Sequence, residues 1–256
     1  MKHLLIILTA SLLCTSPAPA EEPPPSPEQI GKLRAKAENG DAAAQHELGV
    51  IYGCGRGVRK NEVMAVKWYR QAAGQGDAAA QVSLGLAYAK GAGVGRDFAE
   101  AVKWYQKAAA QGRANGQNNL AAMYEAGQGV AMDHAEAVKW YSLAAAQGDA
   151  KAQTNLGHMY ELGRGVAKDE AEAVRWYGEA AEQGFAEAQS SLGLMYASGN
   201  GVLRDVAEAY KWWLLANAQG DKFGKMAVKE YRGLINDAMR AEGHKRAHEF
   251  KAAKSN

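Results

Sequence analysis

Apolar residues along this chain fall into stripes of helical spacing, and the whole pattern returns every 36 residues. Between Gly76 and Gln111, the residues Ala80, Leu84 and Tyr88 recur at four-residue steps, which predicts a helix with one buried face. Asp77 stands just ahead of that stripe as an N-cap, because its carboxylate can accept from the exposed backbone N–H groups of the first turn. Gly91-Ala92-Gly93-Val94 ends the stripe. Asp97 and Glu100 then form a D-x-x-E pattern that resembles a capping box. The helix it opens carries Ala101, Val102, Trp104, Tyr105, Ala108 and Ala109, and Gly112 closes it as a left-handed C-terminal cap. Each unit is thus a helical hairpin, with a loop of about eight residues inside and a two-residue turn to the next unit.

The aromatic pairs Trp68-Tyr69, Trp104-Tyr105, Trp140-Tyr141, Trp176-Tyr177 and Trp212-Trp213 hold this step without slippage, as do Gly40, Gly76, Gly112, Gly148, Gly184 and Gly220. A fixed period of this size marks a solenoid of stacked supersecondary units. The acid pair returns as Asp133/Glu136, Asp169/Glu172 and Asp205/Glu208, with Asn61/Met64 in the first unit. The helix-opening Asp41, Asp77, Asp149 and Asp221 give way to Arg113 and Phe185 in two units. Leu48-Gly49, Leu84-Gly85, Leu156-Gly157 and Leu192-Gly193 place a glycine inside the first helix, with Leu120-Ala121 as the exception. A mid-helix glycine costs about 1 kcal/mol against alanine, so its recurrence predicts that the second helix passes close by there.

The hairpins tile residues 40–219 as 40–75, 76–111, 112–147, 148–183 and 184–219. Residues 28–39 read as an N-terminal capping helix and 220–256 as C-terminal capping helices, as the exposed ends of a stack require. Met1-Lys2-His3, the apolar run Leu4 to Leu13 and Ala18-Pro19-Ala20 together predict a signal peptide over residues 1–20, cut after Ala20. That run is too short to span a bilayer as a mature helix, and no later stretch is long enough. All six prolines lie between Pro17 and Pro27, so 21–27 reads as a Pro-rich tether. The expected location is the periplasm or the cell exterior.

A formal charge of +2 gives no electrostatic argument for nucleic acid. With residues 1–20 removed, Cys54 is a lone thiol, either free or bonded between molecules, and packing must hold the fold.

The elements A-x-x-L-G-x-x-Y (Ala44 to Tyr52), G-x-G-V (Gly55 to Val58) and A-V-K-W-Y-x-x-A-A (Ala65 to Ala73), in five in-phase copies, resemble a Sel1-like repeat protein. The resemblance implies an all-α, right-handed α/α superhelical solenoid similar to tetratricopeptide repeats. It also implies first helices lining the concave side and a role in holding protein complexes together. A secreted, cysteine-rich branch of this family is associated with β-lactam binding or hydrolysis. This chain lacks the cysteines of that branch, so that activity is not carried over.

Reactive constellations are sparse. There is no S-x-x-K, G-x-S-x-G, H-E-x-x-H or P-loop. His244 and His248, four apart beside Glu249, lack a third metal ligand nearby in sequence and read as a solvated helix face. The cations Lys67, Lys103, Lys139, Arg175 and Lys211 precede the tryptophans, but Glu100, Glu136, Glu172 and Glu208 stand three residues before the last four. Such i,i+3 pairs are ordinary helix-surface partners rather than a phosphate track.

If Ala44, Leu48 and Tyr52 face the core, positions 43, 46, 50 and 53 share a neighbouring stripe. From it the candidate partner-binding residues are Val82, Leu86, Asn115, Asn118, Glu125, Lys151, Thr154, His158, Glu161 and Ser190, which the resemblance places on the concave face. An apolar floor in the first two units and hydrogen-bonding groups in the next two suit an extended peptide. The expected function is a non-catalytic scaffold or adaptor for a protein or peptide. No cofactor, metal, nucleic acid or small-molecule ligand is expected. Two alternatives remain: a cell-wall or β-lactam-binding protein with weak hydrolase activity, and a periplasmic regulator of a membrane sensor.

Overall fold

A computed structural model of the chain describes residues 23–254, and among them contains thirteen α-helices and no strand. They fall into two compact units, one up to Met132 and one from Asp133. The first holds α1 (Pro27–Glu38), the hairpins α2 (Ala42–Cys54) with α3 (Glu62–Gly74) and α4 (Ala78–Lys90) with α5 (Phe98–Ala110), and α6 (Ala114–Ala126). The second holds α7 (His134–Ala145), the hairpins α8 (Ala150–Leu162) with α9 (Glu170–Glu182) and α10 (Ala186–Ser198) with α11 (Val206–Ala218), then α12 (Lys222–Tyr231) and α13 (Asp237–Lys254). The expected signal peptide, residues 1–20, lies outside the described residues. Pro27, read from sequence as tether, is the first residue of α1, where the N–H that proline lacks would have had no partner anyway. Ser26 and Gln29 form a reciprocal capping box there.

The first helices start as their sequence requires. The carboxylates of Asp41, Asp77, Asp149 and Asp221 accept from the N–H three residues on at 2.9, 2.6, 2.8 and 2.7 Å, whereas Arg113 and Phe185 provide no side-chain cap. The second helices use only half of the expected capping box. Asp97, Asp133, Asp169 and Asp205 cap the backbone, but their glutamates turn to the cation three residues on. For three of these caps the reason is on the other side of the loop. The cap N–H of Asp97, Asp169 and Asp205 already donates to the carbonyls of Tyr88, Tyr160 and Tyr196, at 2.9 to 3.0 Å, so no donor is left for the glutamate.

Each hairpin closes on its mid-helix glycine. A Cβ on Gly49, Gly85, Gly157 or Gly193 would lie 2.5 to 2.6 Å from the ring of Tyr69, Tyr105, Tyr177 or Trp213. The expected close approach is therefore real, and the aromatic ring itself makes it. These rings are all but fully buried. Loops also pack tightly on the hairpin before them. Gly93, Gly129, Gly165 and Gly201 have φ near +70° and press against the carbonyls of Glu62, Phe98, His134 and Glu170, only 2.2 to 2.3 Å from where a Cβ would stand.

Successive hairpins are joined by buried glutamines. The Nε2 groups of Gln45, Gln81, Gln153 and Gln189 donate to Ala37, Ala73, Ala145 and Ala181 carbonyls near the end of the preceding helix, at 2.9, 3.4, 3.2 and 3.1 Å. Their Oε1 atoms accept from Gln75, Gln111, Gln183 and Gln219, thirty residues on, at 2.7 to 2.9 Å. At the C-terminal end α13 lies on α11. Phe250 meets Trp212 edge-on at 5.2 Å, and the Arg246 guanidinium bonds Asp205 at 2.8 Å and Glu208 at 3.0 Å. Cys54, expected to be free or bonded between molecules, is disulfide-bonded in this structure.

Two substitutions test this account. Gly85→Leu drives a side chain into Tyr105 and toward the Ala101 carbonyl, 3.2 Å from the Cβ position. It should cost about 1–3 kcal/mol, and an unchanged denaturant midpoint would refute the close-approach argument. Arg113→Asp restores the missing cap of α6 and should stabilise the chain by about 1 kcal/mol, seen as a higher denaturant midpoint.

Candidate functional site

The surface with the most sequence variation between units is the open face of the first helices. Its position follows from what the hairpin buries. In α2 the buried residues are Ala44, Gln45, Leu48, Gly49, Ile51 and Gly53, a wider arc than the stripe Ala44, Leu48 and Tyr52. Gly49 and Gly53 meet Tyr69, and Gln45 reaches back to Ala37, so the open arc is pushed round by one residue. It runs through positions 43, 47, 50 and 54 rather than 43, 46, 50 and 53.

The expected partner-binding residues divide accordingly. Val82, Leu86, Asn118, Thr154 and Ser190 are buried and not available on this face. The Thr154 hydroxyl donates to the Ala150 carbonyl of its own helix at 2.8 Å, and the Ser190 hydroxyl bonds the Asp221 carboxylate. Glu161 is half-buried, accepting from the Tyr177 hydroxyl at 2.5 Å, and Glu125 is also half-buried. Asn115 is exposed, and Lys151 and His158 are half-buried on the open arc. The residues missed lie one position on from the buried ones. Ser83 and Asn119 belong to this face in the first unit, Asn155 and Ser191 in the second. In the second unit the face reads Lys151, Asn155, His158 and Leu162 on α8, and Glu187, Ser191, Leu194 and Ser198 on α10. Leu162 and Leu194 are 54% and 42% exposed, so apolar and polar groups are offered together.

Imidazoles tie neighbouring first helices on or beside this face. His46 Nε2 lies 3.0 Å from Ser83 Oγ, and its ring stands 5.7 Å from that of Tyr69. Burial holds its pKa below the usual imidazole range, and Arg113 adds to that effect while Asp77 opposes it. His158 Nε2 lies 3.4 Å from Ser191 Oγ, with its ring edge-on to Tyr177 at 5.2 Å. Tyr177 ionises far above the ordinary phenol range, first because it is buried and then because Glu161 faces it. Both histidines thus serve as fixed hydrogen-bonding groups between helices.

The cation column carries its expected partners. Lys103, Lys139, Arg175 and Lys211 meet Glu100, Glu136, Glu172 and Glu208 at 2.9, 3.1, 2.5 and 2.7 Å. Lys107, Arg175 and Lys211 also lie 3.9 to 4.0 Å from the ring centres of Trp104, Trp176 and Trp212. Among the described residues no cluster of His, Cys, Asp and Glu could hold a metal ion.

Comparison with known proteins agrees with this architecture. The Sel1 repeat family profile matches residues 42–77, 78–112, 114–149, 150–185 and 186–221. A Sel1 repeat protein from Oxalobacter formigenes is similar at 35% identity with a TM-score of 0.76, over 85% of this chain and 88% of that one. A protective antigen present in uropathogenic Escherichia coli strains, displaying an SLR fold, is similar at 39% identity with a TM-score of 0.74 over 89% of this chain. The chain spans about half of that antigen, 49% of its length. An immunity protein from Pseudomonas aeruginosa shares the fold alone, at 21% identity and a TM-score of 0.51, over 90% of this chain and 83% of that one. No curated protein matches the chain. With five matched repeats covering most of its length and the hairpin geometry to go with them, the chain belongs to the Sel1 repeat family.

Proposed function

We propose that this protein is an exported, non-catalytic adaptor that holds a protein or an extended peptide against the open face of its first helices. Sel1 repeat solenoids commonly mediate protein–protein interaction, and no helix among the described residues is long and apolar enough to cross a membrane. The observation that carries the reading is the face of α8 and α10. There the exposed Leu162 and Leu194 stand among Lys151, His158, Glu187 and Ser191. Their backbones are fixed by buried aromatic rings and paired glutamines, so the side chains are held ready and little ordering entropy is lost on binding. The polar groups give direction to an extended chain, and the leucines supply apolar area. Neither the β-lactam-binding alternative nor the sensor-regulator alternative is favoured by a particular observation.

A photo-crosslinking residue placed at Lys151 or Leu194 of the full chain in its native host should trap one and the same partner. The same residue at Glu182, exposed on α9, is the control. Equal capture from all three positions, or none from Lys151 and Leu194, would remove the open face from consideration. Export carries its own check. Sequencing the N-terminus of the protein recovered from the host should begin at Glu21, and an intact Met1 would refute cleavage after Ala20.

A further inference from the structure

Four second helices share a three-residue device. Glu100, Lys103 and Trp104 form it in α5, with Glu136, Lys139 and Trp140 in α7, Glu172, Arg175 and Trp176 in α9, and Glu208, Lys211 and Trp212 in α11. In each the carboxylate bonds the cation. In α9 the Glu172 carboxyl is held below the usual carboxylate range chiefly by Arg175. The indole N–H groups of Trp104, Trp140, Trp176 and Trp212 are all buried without a hydrogen-bond partner. The carboxylate is therefore the anion of the cation three residues on in all four helices.

In α3 the cation and the indole remain as Lys67 and Trp68, but Met64 stands where the glutamate belongs. Among the described residues Lys67 makes no ion pair, and its ammonium lies 6.0 Å from the Trp68 ring centre. Trp68 is 6% exposed, and its Nε1–H is buried without a hydrogen-bond partner, as are the indoles of the four sister helices. A cavity of about 470 Å³ opens at this spot, walled by α1, α2 and α3 and lined by Arg34, Glu38, Tyr52, Met64, Lys67 and Trp68 among others. Arg34 spends one N–H on the Tyr52 hydroxyl at 2.6 Å and has further donors in its fixed fork. Against these two cations Glu38 sets one carboxylate, leaving the cavity net positive.

We propose that this cavity is a binding site for a carboxylate, which occupies the place of the glutamate that α3 lacks. Lys67 and Arg34 supply both the charge and the hydrogen-bond donors. The cavity has the size of ordinary small-ligand sites, about 300–1,000 Å³, so it takes an acidic side chain or the C-terminal end of a peptide rather than a folded surface. This site lies apart from the open face of the first helices, so its fate and that of the adaptor reading are decided separately.

The test follows the Trp68 indole resonance of the full, nitrogen-15-labelled chain, identified by its loss in Trp68→Phe. Three probes are titrated: acetyl-Gly-Gly-Glu amide, acetyl-Gly-Gly-Gly with a free C-terminal carboxylate, and acetyl-Gly-Gly-Gln amide. At least one acidic probe should shift that resonance saturably and bind about tenfold or more tightly than the neutral amide, a difference of about 1.4 kcal/mol. Whichever acid does so tells a side-chain source from a main-chain one. Met64→Glu installs the residue that four sister helices already carry, so it should fold normally and weaken binding about tenfold or more. The proposal is overturned if neither acid gives a saturable shift. It is equally overturned if the glutamine amide binds as well, or if a folded Met64→Glu chain binds as tightly as the parent.

Discussion

A buried amide with nothing to bond to costs about 1–3 kcal/mol, and this fold turns that penalty into the joint between its repeats. Gln45, Gln81, Gln153 and Gln189 are each at most 5% exposed. Each one bonds backward to the end of one helix and forward to a glutamine at the end of the next second helix. Apolar packing between helices tolerates small slips, whereas a hydrogen bond of this kind has a narrow range of distance and angle. The joint therefore fixes how far each first helix advances and which way it is turned. The ring-on-glycine contacts inside each hairpin, and the face turned outward, follow from that setting.

Much of this was legible in the sequence, because the repeat puts the same residue in the same environment several times. The helices, their aspartate caps, the two missing caps at Arg113 and Phe185 and the tight passage over Gly49, Gly85, Gly157 and Gly193 could all be read from spacing and composition. The rotation of the first helices could not. Spacing alone puts Tyr52 on the core stripe with Ala44 and Leu48, yet Tyr52 is half-exposed and bonded to Arg34, while Gln45, outside that stripe, is buried. That exchange moved the open arc by one residue and hid Asn118, Thr154 and Ser190. The signal was present all the same, since the glutamines keep the 36-residue step as strictly as the tryptophans do. Polar residues that recur in phase deserve a place in the core tally beside the apolar ones.

The glutamates of the second helices show how a local rule can be redirected by its surroundings. Where the cap N–H is already held by a tyrosine carbonyl across the loop, the acid is released for the cation beside the tryptophan. Only with that pairing established does the methionine at position 64 stand out as a departure rather than a weaker cap. The charge pattern of the chain is thus balanced by repetition, and its single break falls beside a cavity.

The loop glycines set the spacing of neighbouring hairpins through main chain meeting main chain, at Gly93 on Glu62 and again at Gly129, Gly165 and Gly201. A contact made by backbone atoms is indifferent to the side chains around it. Selection is therefore free to rewrite the outward residues of any one repeat without disturbing how it seats on the hairpin before it. Whole 36-residue modules can also be gained or lost by recombination, whereas a single inserted residue in the loop would break the register. A relative about twice as long, such as the E. coli antigen, is the kind of product that such modular growth allows.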